Sequence, residues 1–151
     1  MKKFEFRLQS LLNLSRQKER LIELSERQLR TEIELERQQI VQLETELDQS
    51  TTVAPEVALR VGVVAGAQSQ CEFERSQRLR ITQARSRIDE LESRLTELVQ
   101  ERQRQQQESH SLDKLRQEQW LTWRKDSVKA AQEELLENLV HESQRQTADH
   151  G

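Results

Sequence analysis

Few side chains in this sequence could perform chemistry, and none sits at a spacing that would let it. Cys71 is the single cysteine, and beside it in sequence stand Glu72 and Glu74, with no His nearby to act as its base. His110, His141 and His150 lack metal-ligand spacing to one another or to Cys71. Glu133-Glu134 reads as a solvated helix face. Gly62-Val63-Val64-Ala65-Gly66 lacks the Lys and Ser/Thr that complete a phosphate-binding loop. No catalytic, cofactor-binding or metal site is expected, and no small-molecule substrate, so the chain is read as a non-enzyme that acts by binding other proteins.

The side chains left to carry recognition are the aromatics. There are three Phe, two Trp and no Tyr among 151 residues. Phe4 and Phe6 open the chain, Phe73 lies farther on, and Trp120 and Trp123 sit near the C-terminal end. In a chain this poor in aromatics they are candidate interface anchors, because large rigid side chains dominate protein–protein contact energies.

The elements that position them can be read from composition and period. Apolar residues make up 33% of the chain and charged residues 34%, too little greasy surface for a wide globular core. About half the residues are Ala, Glu, Lys, Arg or Leu, which with a three-to-four period marks a coiled coil or long helix. Charges of both signs are interspersed, with a net charge of −3 and no basic block of the kind that grips nucleic acid. Met1-Lys2-Lys3 is followed by no apolar run, so no secretory signal is expected. No stretch approaches the ~18 apolar residues of a membrane span, and a cytoplasmic location is expected.

Counting back from Leu47 by alternating four and three gives Leu43, Ile40, Glu36, Ile33, Leu29, Glu26, Ile22, Glu19, Ser15, Leu12 and Leu8. This seam is apolar except at three Glu and one Ser. Leu11, Leu14, Leu21, Leu24 and Leu35 lie beside it and would widen the apolar stripe. A cleaner seam runs through Ile81, Ala84, Ile88, Leu91, Leu95 and Leu98. It then turns polar at Arg102, Gln105 and Ser109 and resumes at Leu112. Between the two seams, Ser50-Thr51-Thr52 and Pro55 read as a break, and Gly62 and Gly66 weaken any helix across the next dozen residues.

The expected architecture is all-α: a single coiled-coil domain over 1–151, forming a long antiparallel two-helix hairpin. Helix 1 spans about residues 4–49, the turn about 50–67 and helix 2 about 68–147. Helix 1, roughly 70 Å long at 1.5 Å per residue, would cover only about the first half of helix 2. It would meet Ile81–Leu98 with its own first half, leaving Trp120 and Trp123 on an overhang.

The opening Phe4-Glu5-Phe6-Arg7-Leu8-Gln9-Ser10-Leu11-Leu12 resembles the start of the FliJ family of bacterial flagellar export proteins. Members of that family often begin Phe-x-Phe-x-Leu-x-x-Leu-Leu before a basic, Glu-rich helix. Glu101-Arg102 through Leu112-Asp113-Lys114-Leu115, followed by Trp123-Arg124-Lys125, is similar to the family's C-terminal half. The resemblance implies a coiled-coil stalk in the centre of the hexameric flagellar export ATPase, promoting its assembly and activity. It also implies contact with the membrane export gate protein, escort of export chaperones, and a peripheral location at the cytoplasmic face of the inner membrane. Flagellum assembly and motility would depend on it. Under this reading Phe4, Phe6, Leu8, Trp120 and Trp123 are assigned to the ring end, and Phe73 with Leu79 to the gate end. A virulence type III secretion stalk and a general coiled-coil scaffold or tether are the alternatives. A membrane-surface helix fits less well, since Glu balances Arg throughout.

Overall fold

The computed structural model describes residues 2–151, and at 53–55, 57, 58 and 61 the backbone alone. It is all-helical: α1 spans Gln9–Val61 and α2 spans Val63–Asp149, packed against each other as an antiparallel hairpin. Among the described residues there is no strand, and no helix is long and apolar enough to cross a membrane.

Helix 1 was expected to end near Gln49. It continues twelve residues farther, and the turn expected over 50–67 is confined to Gly62. The hydroxyls that read as turn formers are satisfied inside the helix. Ser50 Oγ donates to the Leu47 carbonyl, Thr51 Oγ1 to Asp48 and Thr52 Oγ1 to Gln49, each at 2.7 Å. Such back-bonds let Ser and Thr sit in a helix without breaking it. Pro55 forgoes one backbone bond and adopts helical geometry all the same. Reversal requires a residue that accepts positive φ, and Gly62 supplies it at φ 99°. Its carbonyl accepts the first bond of α2, from the Gly66 amide at 2.9 Å.

The start of α1 also differs from expectation. Residues 2–6 are not helical, and the helix begins at Gln9 after a turn at Arg7 and Leu8. The Gln9 amide donates to the Phe6 carbonyl at 3.1 Å and the Leu12 amide to Leu8 at 2.9 Å. No acidic residue stands in the first turn, so the helix end has no side-chain cap and rests on the segment before it.

Contacts cluster in two compact units, one of Glu19–Arg104 and one of Met1–Lys18 with Gln105–Gly151. In the first, cross-helix pairs fall along α2 as they rise along α1: Glu26 with Arg102, Glu36 with Arg87, Glu46 with Gln77, Ser50 with Gln70. Ile81–Leu98 therefore faces the middle of α1 rather than its first half, because the reversal lies closer to α2 than the broad turn implied. In the second unit Ser15 Oγ meets Ser109 Oγ at 2.9 Å and Arg16 reaches Asp113 at 3.4 Å.

The seam itself is where the period placed it. Every α1 seam position from Leu12 to Leu47 is buried or half-buried, as is every α2 seam position from Ile81 to Leu112. Leu8 is more exposed because it precedes the helix. The flanking Leu11, Leu14, Leu21, Leu24 and Leu35 stay exposed and do not widen the core, since two helices touch along one narrow line.

The polar members of the two seams meet each other. Glu26 is 2% exposed, and its Oε1 lies 3.1 Å from Arg102 Nε. The Nε–H does not point along that line, so charge and not a directed hydrogen bond holds the pair. Farther along, Gln77 is buried and donates through Nε2 to Glu46 at 3.1 Å. Around this polar seam run exposed ion pairs, Arg37–Glu92, Arg85–Glu44 and Arg87–Glu36, at 3.1, 3.2 and 3.3 Å. Each contributes about 0–1 kcal/mol in water.

Two outcomes are expected in urea denaturation. Gly62→Ala meets no atom within 4 Å, so its cost is conformational, about 1–2 kcal/mol for forcing an L-residue to positive φ. Glu26→Ala strands Arg102 and costs roughly 2–4 kcal/mol, less than a wholly enclosed pair because Arg102 retains a path to water. The Glu26→Leu/Arg102→Leu double variant recovers most of that loss, which a purely local packing defect at residue 26 would not.

Candidate partner-binding end

The unit that holds the N-terminal segment also holds both tryptophans. Phe4 is half-buried and Phe6 is 8% exposed, while Glu5 and Arg7 are exposed. The Phe4 ring lies 5.8 Å from the Trp123 ring at a tilt of 51°, within the range where aromatic pairs attract beyond their buried area. Phe4 thus reaches the tryptophan expected to lie beyond helix 1. The later turn lengthens α1, and the non-helical residues before Gln9 carry the chain farther.

Trp120 is one helical turn earlier and remains 40% exposed. The Arg124 guanidinium carbon sits 5.4 Å from its ring centroid, a cation–π contact worth about 0.5–1 kcal/mol at an exposed site. Phe4, Arg116, Gln117 and Trp120 line one shallow cleft. A second is floored by Phe4, Leu115 and Trp123 and ringed by Lys2, Lys3, Glu118 and Asp126. Half-exposed aromatics rimmed by charges of both signs suit the burial of an apolar side chain from another protein. Leu8, also assigned to this end, is 38% exposed beside them in sequence.

Phe73 and Leu79 are not brought together. Both are exposed on α2, and six positions on a helix leave them about 120° apart around the axis. The exposed apolar residues nearest the reversal are Leu59, Val63 and Val64. Their stretch is visibly apolar in sequence, but only the position of the turn shows that they flank it.

Cys71 is an exposed free thiol. Among the described residues no group of three or more His, Cys, Asp or Glu side chains converges as metal ligands would. No protein-family model matches the chain, and no curated protein or solved structure matches it significantly.

The aromatic contact is measurable. A double-mutant cycle of Phe4→Ala and Trp123→Ala in urea denaturation should give a coupling of about 0.5–1.5 kcal/mol. Phe4→Ala with Leu139→Ala should give none.

Proposed function

We propose that this chain is a FliJ-like stalk of a flagellar protein export apparatus, inserting its aromatic end into a hexameric export ATPase and stimulating it. The observation that carries the reading is that the motif behind the resemblance and the two tryptophans belong to one surface. Phe4, the first aromatic of Phe-x-Phe-x-Leu-x-x-Leu-Leu, packs on Trp123 and shares a cleft with Trp120, and Phe6 two residues on is buried. The antiparallel hairpin supports it too, since an axle needs long helices with a polar exterior and a narrow core. On this proposal the membrane export gate and the export chaperones are further partners, and the protein works peripherally at the cytoplasmic face of the inner membrane.

Titrating the purified chain into the export ATPase of the same bacterium tests it. ATPase turnover is expected to rise several-fold and to saturate. Trp120→Ala/Trp123→Ala should weaken the stimulation by about tenfold in half-maximal concentration, the loss of one or two anchor residues. Absence of binding and stimulation by the wild-type chain sinks the proposal.

A further inference from the structure

From Leu121 onward α2 carries a second, exposed apolar stripe beside the seam line. The seam continues along this part of the helix through the half-buried Trp123, Ser127 and Ala131. At about 100° per residue, Leu121, Val128, Leu135 and Leu139 share a line beside the seam, about 40° to 160° around the axis from those three residues. Leu136 and Val140 flank them, and all six are half-exposed or more. The beginning of this face forms a groove lined by Leu121, Arg124, Lys125, Val128, Lys129 and Gln132. From Gln132 onward every residue is exposed, yet α2 stays helical to Asp149. A lone helix of that length is marginal in water without a packed face.

The charges say what would cover it. Arg124, Lys125 and Lys129 border its first part and Glu133 and Glu142 its second, while Glu134 and Glu137 turn to the other side of the helix. Among the described residues none of them forms an ion pair within the chain. Arg124 and Glu142 sit about five full turns apart and so edge the same side of the apolar face. Lys129 and Glu133, about one turn apart, edge the other side.

We propose that this face is the contact between two copies of the chain, paired antiparallel about a twofold axis near Gln132. In that arrangement Val128 meets Leu136 of the second copy, and Leu139 lies on the Lys125 stem. Arg124 pairs with Glu142 and Lys129 with Glu133, and the symmetry makes each pair twice. Both charge pairs and the Val128–Leu136 contact place the axis within a residue of the same point, a coincidence that an arbitrary charge pattern would not produce. A parallel pairing would set basic against basic and acidic against acidic. The proposal is independent of any role in protein export, and it leaves the Phe4–Trp123 cluster uncovered.

Sedimentation of the full chain tests it through charge reversal. The wild-type chain should double in mass as concentration rises from low to high micromolar. Arg124→Glu/Lys129→Glu gives an edge that is acidic throughout, and Glu133→Lys/Glu142→Lys one that is basic throughout. Each variant alone should stay monomeric with unchanged helix content, since all four positions are exposed, and an equimolar mixture of the two should regain the doubled mass. In a Cys71→Ser background, Gln132→Cys should form an intermolecular disulfide and Leu121→Cys should not. A wild-type chain that remains monomeric overturns the proposal. So does a dimer indifferent to the reversals, a mixture that fails to pair, or Leu121→Cys linking as readily as Gln132→Cys.

Discussion

The carboxylate of Glu26 has almost no access to water, and a charge so placed is costly unless cations stand beside it; Arg30 of its own helix lies 3.8 Å away. Arg102 answers the charge from the facing helix. Replacing such a pair with two leucines would cost nothing and could even add stability, so its contribution lies in alignment. A hairpin closed along a uniform strip of leucines could slide by a heptad with little penalty. Sliding this one would place Glu26 against Leu95 or Ser109 and abandon the ion pairs at Glu36 and Glu44. In the other unit Ser15 does the same on a smaller scale, finding Ser109 and Gln105 across from it. Interruptions that weaken each helix taken singly are therefore what makes the pairing unique.

Much of this was legible in the residues and some was not. The three-four period identified the buried line on both helices, because burial in a two-helix packing depends almost wholly on angular position. The polar gaps were visible too, at Glu26 and Ser15 on one helix and Arg102, Gln105 and Ser109 on the other. Their mutual match was hidden, since it depends on where the chain reverses. Local preference spread that reversal over about residues 50–67, where hydroxyl groups, a proline and two glycines compete against helix. Those hydroxyls found carbonyls in their own helix, and the reversal went to the residue able to adopt positive φ. That displacement altered the pairing of every residue beyond it.

The recognition surface was half legible for the same reason. Aromatic scarcity pointed to Phe4, Phe6, Trp120 and Trp123, but not to Phe4 lying on Trp123. That contact needs both the later turn and a non-helical start to the chain. Phe73 and Leu79 share chemical type alone, and a helix separates them onto different faces. Leu59, Val63 and Val64 become a group only once the turn between them is located. Chemical type thus proposes candidates, and backbone path decides which of them share a surface.

A reversal made by a single residue has no slack. Adding or removing one residue between Leu12 and Leu112 would rotate everything downstream by about 100° and carry the buried line out of contact, with no loop to take up the difference. Insertions and deletions inside the paired region are tolerable only in matched sets, one in each helix, because seven residues added to one helix keep its face but part Glu26 from Arg102. The paired part is in effect graduated residue by residue.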